Sequence, residues 1–598
     1  MAKKTKPQDQ KEDCLEVQYS LHQLPSAQHK TGLAGLVFLL QTMEERKMQP
    51  LPEVIPGDDG AWKFRFTRDS FQALFDELYD AEMVEIESLS KWSNKDHKEI
   101  RERKTLKGEK EELEKVFVYE VEVPKGAALK GALPEDGEGE KKLALWRDML
   151  WATYCGKPAA RGAYKERLEG KPSSKAGSAW NALQKKRESS ESLSGSLMLG
   201  AEGISAEGVA FKGTAGENFL LQFAHLASPL FVTRTFQVKR GKKDERSTYS
   251  INWSDGGFVL VMPEIIDIEK YVGKYRKWLG SPSKSSKNRR PLSALIDLPE
   301  ESGLEFLSAI AERRTAVHGR GVFDAVEGVE YFYMEKRGNA VNLMASTYIP
   351  LGIGALNEYN RLVAPSGDKR PLNFLYKTYR IRNLLYGNPW YAGIQDVFEQ
   401  YPNEFFIWSK QGSPKNTPFF GLDAGRKLRE IANSIMNPTE EKNMDTNSAP
   451  TPAIDRDDRL AAKTRGIVRQ YVIAELKERV AKYLPAGKTH LERKKEDGDI
   501  FFPTEYQNEL QKICSGAFLA LRGRKGPDIA EYFTGTLCSH PQFMRSSPKN
   551  EEVDDFLLLA KSLVDPEERE KIRLFGMLAL SACSYVHIKG DQPQTEDE

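Results

Sequence analysis

The chain contains 598 residues, and its 88 Lys and Arg residues nearly balance its 87 Asp and Glu residues, so the formal net charge is +1. This balance excludes a uniformly basic, histone-like protein, and any contact with nucleic acid must come from local basic patches. The length predicts two to four domains at about 100–200 residues each, enough to form a sizeable core.

Cysteine usage and the N-terminus both indicate a cytoplasmic protein. The five cysteines are scattered, and no two form a CxxC pair, so reduced thiols are expected rather than disulfides or a zinc ribbon. The N-terminus lacks the apolar segment of a signal peptide. No apolar run approaches the ~18 residues of a membrane span, and we expect no contact with a membrane.

The first third of the chain predicts strands and helices in alternation. Residues 15–21 alternate apolar and polar side chains, as a half-buried strand does. An apolar helix follows from about Gln28 to Arg46, and Gly32 and Gly35 within it predict close packing against another backbone. Thr67 is a suitable N-cap for an amphipathic helix.

Two polar stretches in this region are harder to assign. Residues 91–115 carry a dense mixture of acidic and basic residues, which favours a solvated helix. Residues 161–195 are basic and rich in Ser and Gly, and we interpret them as a long surface insertion. Strand patterns return at 117–123, 231–233, 258–262 and 329–335.

From about residue 351 the pattern becomes helical. Residues 437–457 are rich in Pro, Asn, Ser and Thr, a composition typical of a linker. The sequence therefore predicts an α+β fold with three parts: a mixed α/β region at 1–436, the linker at 437–457, and an all-α helical bundle at 458–598. Asp565 and Pro566 mark the start of one of its helices.

No common catalytic motif is present. The sequence has no phosphate loop of the GxxxxGK type, no HExxH and no GxSxG, and no two of its eight histidines lie within four residues of each other. We therefore expect no enzyme activity, no catalytic residue, no metal site and no cofactor. Two alternatives stay open, namely a nuclease with an unrecognised active site and a protein-only scaffold.

Local basic clusters are the strongest functional signal, because cationic side chains neutralise phosphates and aromatic rings stack on unpaired bases. A solvated face or ordinary core is the alternative for each cluster. The third of the four clusters is interleaved with aromatic residues. In chain order the clusters are Lys239, Arg240, Lys242, Lys243 and Arg246; Lys284, Lys287, Asn288, Arg289 and Arg290; Lys377, Arg380, Arg382 and Asn383; and Arg522, Arg524 and Lys525.

Several strings together resemble one protein family. They are LPSAQHKTGLAGL at 24–36, LWRDMLW at 145–151, AEGVAFKG at 206–213 with FLLQF at 219–223, and FVLVMPE at 258–264. Their order and spacing resemble the large subunit of a type I CRISPR Cascade complex, of the I-B or myxococcal kind. None of the strings is a catalytic motif, and it is the set that is specific.

The resemblance implies a non-catalytic subunit of an RNA-guided complex for antiviral defence in the prokaryotic cytoplasm. Such a subunit recognises the protospacer-adjacent motif in duplex DNA, helps to form the R-loop, and recruits a helicase-nuclease or, in some relatives, transposition proteins. Its implied partners are the guide RNA, the target duplex, the displaced strand, and the Cascade backbone and small subunits. The family often makes a separate small subunit from an internal start, for which Met436 and Met444 are suitably placed.

The resemblance and the chemistry of base recognition add candidate contacts. Gln28, His29 and Lys30 begin the helix in the best-matched string and could face RNA or DNA. Asn suits adenine and Arg suits guanine in direct readout. This chemistry makes two sets plausible readers of base edges, namely residues 288–290 and the pair Arg382 and Asn383.

Overall fold

The structure is a computed structural model. It describes residues 14–56, 60–88, 91, 96–107, 110–124, 159–186, 188–192, 199, 212–240, 249–279, 295–310, 325–337, 340–363, 372–409, 418–436, 456–483, 494–496, 499–501, 504–539 and 550–585. The chain divides into two compact units. The first contains residues 1–234 and 255–357, and the second contains residues 235–254 and 358–598.

The first part of the chain mixes strands with helices, as an α+β fold requires. Strands β9 and β10 continue from the first unit into residues 235–254 of the second. In chain order the elements are β1 (Leu15–Tyr19), α1 (Ala27–Glu45), β2 (Glu53–Pro56), β3 (Trp62–Phe66), α2 (Arg68–Leu78), β4 (Ala81–Ser88), β5 (Glu99–Lys107), β6 (Lys110–Pro124), α3 (Ala159–Leu168), α4 (Ser174–Lys186), β7 (Ser190–Ser192), β8 (Lys212–Thr214), α5 (Ala215–Leu221), β9 (Leu230–Arg240), β10 (Tyr249–Ile265), α6 (Ile268–Leu279), β11 (Leu295–Ile296), α7 (Pro299–Ile310), β12 (Val326–Arg337) and β13 (Ala340–Pro350).

The rest of the chain is largely helical. Its elements are α8 (Ile353–Val363), α9 (Phe374–Tyr386), α10 (Ile394–Gln400), α11 (Phe420–Met436), α12 (Arg456–Val480), β14 (Lys494–Glu496), β15 (Asp499–Phe501), α13 (Thr504–Gly523), α14 (Pro527–Tyr532), α15 (Asn550–Val564) and α16 (Pro566–Cys583). The α+β fold class is confirmed. None of the helices in the described part of the chain combines the length and apolarity of a membrane span.

The strands form mostly antiparallel sheets. One three-stranded sheet has the order β1-β3-β2 and another the order β4-β6-β5, while β11-β9-β10-β12-β13 form a five-stranded sheet. In the five-stranded sheet β10 pairs with β12 so that Phe258 lies opposite Met334, and the short β11 joins β9 in parallel. The pairs β7-β8 and β14-β15 complete the described sheets.

Helix α1 is the centre of the first unit and is buried on nearly every side. Ser26 caps it, accepting a hydrogen bond from the backbone N–H of His29. A Cβ added at Gly32 would lie 2.7 Å from the carbonyl carbon of Leu220, and one added at Gly35 would lie 2.8 Å from that of Phe223. The prediction that both glycines admit a neighbouring backbone is confirmed.

Residues 161–195 are not simply a surface insertion. They include most of α3 and all of α4. Tyr164 of α3 and Trp180 of α4 are fully buried. The Trp180 ring packs edge-on against Phe71 at 5.3 Å between centroids, and Phe71 stacks on Phe219 at 5.6 Å. The interpretation as an insertion was wrong because a few widely spaced apolar residues, on an otherwise polar stretch, suffice to bury one helix face.

The mixed-sign run at 91–115 contains strands rather than a solvated helix, since β5 lies within it and β6 begins in it. Its charges pair across the sheet: Lys98 donates to Glu85 at 2.8 Å, and Arg101 donates to the same carboxylate at 2.9 Å. Glu85 lies on β4 and Arg101 on β5, the two outer strands of the β4-β6-β5 sheet. Opposite charges on the strands of one sheet can therefore support that sheet as well as they support a helix. Charge alone therefore did not distinguish the two.

The second unit has one core that extends across the predicted linker. Phe398 and Phe406 contact each other at 4.7 Å between centroids, Phe406 contacts Phe420 at 5.2 Å, and Phe398 contacts Phe518 at 5.3 Å. Helices before and after residues 437–457 thus bury their aromatic rings together. The predicted linker at 437–457 lies inside the second unit, which contains residues 358–598 together with residues 235–254.

Candidate nucleic-acid interface

The residues that begin α1 face inward rather than towards solvent. Gln28 and His29 are 2% and 1% exposed. The Gln28 side-chain oxygen accepts a hydrogen bond from the backbone N–H of Leu199 at 3.1 Å, and Lys30 forms an ion pair with Glu264. The burial of Gln28 and His29 and the ion pair of Lys30 argue against the expectation that the three residues face RNA or DNA.

His29 is held as a neutral imidazole. Burial lowers its pKa to about 4, against a smaller raising effect from the charge of Glu217. Its Nδ1 lies 2.7 Å from the Ser26 Oγ. A neutral, enclosed imidazole carries no charge for a phosphate, so its role here is to fix the start of the helix.

Two basic clusters fall wholly or largely outside the described residues. Lys239 and Arg240 end β9, and β10 is its neighbour in the sheet, so the strands predicted around this cluster are present. The residues outside the described part are Lys242, Lys243, Arg246, Lys284, Lys287, Asn288, Arg289 and Arg290. Their contacts with nucleic acid stay predictions.

The cluster on α9 is mostly interior, as the ordinary-core alternative expects, and this argues against three of its four residues as contacts for nucleic acid. Lys377, Arg380 and Asn383 are 2%, 5% and 5% exposed. The Asn383 side-chain amide donates to the carbonyls of Trp390 and Ala392, at 3.3 and 2.9 Å, and so shapes the turn after the helix. Their spacing of three residues places these side chains on the same face of the helix, which packs inward.

The outward side of α9 still carries two neighbouring side chains that are suited to contact nucleic acid. Arg382 is exposed, and Tyr386, one helical turn further on, is 66% exposed. Residues four apart on a helix are neighbours on its surface. A cation beside an open aromatic ring can contact a phosphate and stack on an unpaired base.

The cluster after α13 is partly structural. Arg522 donates to the carbonyl of Glu399 at 2.8 Å, and Arg524 donates to that of Ala520 at 2.8 Å while lying 4.3 Å from the centre of the Tyr532 ring. Lys525 is exposed. Of the three residues predicted to contact nucleic acid, Lys525 therefore stays the best candidate.

A further cationic group was missed by the sequence analysis. Arg465 and Arg469 lie four residues apart on α12, and Arg429 of α11 is close enough to influence Arg465. We call these three residues the arginine face. Sequence reasoning had only the 465/469 spacing as a signal, because Arg429 lies 36 positions earlier in the chain.

The arginine face brings like charges together in a partly buried position. Burial lowers the pKa of Arg465; the Cys583 thiol opposes this, and Arg469 and Arg429 lower the pKa further. No carboxylate is among these influences, and neither Arg465 nor Arg469 forms an ion pair within the part of the chain that the structure describes. Like charges four residues apart destabilise a helix, and a bound phosphate would remove that repulsion.

Among the described residues, no three His, Cys, Asp or Glu side chains cluster as metal ligands would. A hydrolysis assay with divalent metal on the purified chain is the direct test of the nuclease alternative.

Comparison with known protein families assigns the chain to one of them. A search of curated proteins finds no match. The family model for the type I-B CRISPR Cas8b N-terminal domain matches residues 51–320, and the model for the type I-B CRISPR Cas8b C-terminal domain matches residues 326–583. The two matches span nearly the whole chain, although the string at 24–36 precedes the first of them. The resemblance noted in the sequence is thereby confirmed, and the chain belongs to the Cas8b family of type I-B CRISPR large subunits.

Proposed function

We propose that this protein is the non-catalytic large subunit of an RNA-guided Cascade complex, in which it recognises the protospacer-adjacent motif, promotes R-loop formation and recruits an effector. The family match supports the complex, and the arginine face is the observation that carries the contact with nucleic acid. Guide RNA, target duplex and displaced strand are the proposed ligands. Backbone and small subunits and a helicase-nuclease or transposition adaptor are the proposed protein partners.

The physical division of labour fits a chain with almost no net charge. In RNA-guided recognition, base pairing reads the long target, while protein reads a few base pairs and holds phosphates. Only the surfaces that line nucleic acid need to be cationic. A net charge of +1 is therefore compatible with strong local binding.

The proposed phosphate contacts belong to the second unit. They are the arginine face, the exposed Arg382 beside Tyr386, Lys525, and the basic segment 239–246 between β9 and β10, which is part of residues 235–254. Residues 284–290 carry the Asn and Arg side chains that suit base edges, and we propose them as readers of the motif.

The arginine face is tested by replacing Arg429, Arg465 and Arg469 together with Gln. Each lost phosphate contact should flatten the dependence of log K on log salt by about 0.7–0.9, so the slope should fall by about 2–3 for three contacts. Binding of guide RNA, single-stranded DNA and duplex DNA is measured at several salt concentrations by electrophoretic mobility.

The matched control replaces two other arginines of α12, each of which has a carboxylate partner. Arg456 pairs with Glu568 at 2.7 Å, and Arg479 pairs with Glu475 at 3.2 Å. Their replacement by Gln should leave the salt slope close to that of the parent. An equal loss in both variants, or no change in the triple variant, contradicts the assignment.

The basic segment between β9 and β10 is tested separately, with its five cationic residues changed to Ala. These are Lys239, Arg240, Lys242, Lys243 and Arg246. We expect weaker binding and a flatter salt dependence. Unchanged affinity and slope would remove this segment from the interface without affecting the arginine face.

A further inference from the structure

The second unit contains a cleft bordered by helices α8, α9 and α11. Basic and acidic side chains line most of it, and apolar residues and a tyrosine complete it. The lining residues are Glu358, Arg361, Leu362, Leu372, Tyr376, Arg380, Asp423, Arg426, Lys427 and Glu430. We call it the α8/α9/α11 cleft, and none of the arginine-face residues lines it.

Arg380 is the unusual member of this cleft. It is 95% buried, being only 5% exposed, and its Nη2 donates to the Glu358 carboxylate at 2.7 Å. Its Nε and Nη1 have no hydrogen-bond partner. The Trp390 ring lies 5.8 Å from the guanidinium carbon, which stabilises the charge but accepts no ordinary hydrogen bond. Buried charged donors without acceptors are rare, because burial removes the water that would bind them.

Apart from Glu358, which accepts from Arg380 itself, the carboxylates of the cleft are engaged by other groups. Asp423 accepts from the backbone N–H of Asn373 at 2.7 Å and lies 3.9 Å from Arg426. Glu430 pairs with Lys427 at 3.2 Å. None of them therefore serves as an acceptor for the open donors of Arg380.

The charge of the lining favours an anion. Four cations face three carboxylates, so one positive charge is left over. Arg361 is exposed and forms no ion pair with any residue in the described part of the chain. An anion that enters the cleft would thus meet one free guanidinium and, further in, the open donors of Arg380.

We propose that the α8/α9/α11 cleft binds a phosphoryl group, which accepts hydrogen bonds from Arg380 and is held by Arg361 and Arg426. A phosphoryl group offers several acceptor oxygens at once, and guanidinium groups are the side chains best shaped to bind it. It could be a free phosphate ligand or a phosphate of bound nucleic acid. The inference goes beyond the proposed function, because it would hold whether or not the protein is part of a Cascade complex.

The test uses the full chain and two probes, inorganic pyrophosphate and a single-stranded oligonucleotide of 12 nucleotides, in separate calorimetric titrations. The main variant is the double change Arg361→Gln and Arg426→Gln, because both side chains have some exposure and their loss should leave the fold intact. Arg380→Lys is a second variant that keeps the charge but reduces the donors. Arg479→Gln, on α12 and outside the cleft, is the control.

Loss of affinity of about tenfold or more for pyrophosphate alone in the double variant would assign the cleft to a free phosphate ligand. A loss for the oligonucleotide, with or without pyrophosphate, would assign it to nucleic acid. The proposal would be overturned if the double variant bound both probes as tightly as Arg479→Gln does. It would also be overturned if neither probe bound the parent chain. The double variant decides the matter even if Arg380→Lys fails to fold.

Discussion

Replacement of Gly35 by Ala should destabilise the first unit, although alanine is the better helix former. The added Cβ would lie 2.8 Å from the carbonyl carbon of Phe223 and 3.2 Å from its Cβ. Carbon atoms pack best about 3.5–4.0 Å apart. Because the nearest atoms are backbone atoms, no side-chain rotation relieves the overlap, and α1 would have to move.

The magnitude follows from two opposed effects. Alanine gains about 0.8–1.0 kcal/mol in intrinsic helix propensity over glycine, whereas overpacking of a core costs about 1–3 kcal/mol or more. Rigid backbone on both sides places Gly35 at the upper end of that range, so we expect a net loss of about 2 kcal/mol. Gly177 of α4 is the matched control, since a Cβ there meets no atom within 4 Å, and its change to Ala should stabilise by about 0.5–1 kcal/mol.

The measurement is hydrogen exchange of peptides that cover residues 27–45, which reports the opening free energy of the first unit whether or not the second unfolds with it. We expect faster exchange in Gly35→Ala and unchanged or slower exchange in Gly177→Ala. Equal protection in the two variants would refute the reasoning, because it would mean that α1 and the backbone at Phe223 are not in close contact.

Two further predictions concern pH and capping. Burial lowers the pKa of His29 to about 4 and that of His225 to about 3. Only the unfolded chain binds their protons between those values and the ordinary pKa of about 6.5, so stability is lost as pH falls below about 6.5, by about 1.4 kcal/mol for each histidine at pH 5.5. Urea unfolding at pH 7.5 and 5.5 measures this loss, which should shrink in His225→Gln, and a flat profile in the parent would contradict it. Asp565 accepts from the backbone N–H groups of Glu567 and Glu568 at 2.9 and 3.1 Å, and Asp565→Ala should cost the second unit about 1 kcal/mol while Asp565→Asn costs little.

Local signals in the sequence predicted local structure well. Thr67 forms the expected N-cap, with Ser70 completing a reciprocal capping box, and Asp565 with Pro566 begins α16 as predicted. Gly32 and Gly35 lie where another backbone approaches. In each case the residue type itself has few structural alternatives, so one sequence suffices.

Signals that depend on burial were less informative. The α9 cluster reads as cationic and aromatic in sequence, yet Lys377 and Arg380 point inward while Arg382 points outward. Which face of an amphipathic helix is buried depends on the elements that pack against it, and these come from distant parts of the chain. The arginine face escaped prediction for the same reason, since it combines residues of two helices.

The position of the unit boundary changes what a separate small subunit would have to be. A product begun at Met436 or Met444 would lack α9, α10 and α11, and with them Phe398, Phe406 and Phe420 of the shared core. Burial of each such ring contributes about 1.5–3 kcal/mol, whereas the total free energy of unfolding of a domain is about 5–15 kcal/mol. The loss of these packing partners should therefore strongly destabilise the fragment.

We therefore expect residues 445–598 to be markedly less stable alone than residues 358–598, and to need another protein to cover the exposed core face. Internal initiation itself stays a prediction, tested by mass spectrometry of the purified complex with Met436 and Met444 both changed to Leu. Urea unfolding of the two fragments, followed by circular dichroism, tests the stability. If residues 445–598 unfold as cooperatively and at as high a urea concentration as residues 358–598, the helices before the linker are dispensable, and the shared core does not determine the stability of the bundle.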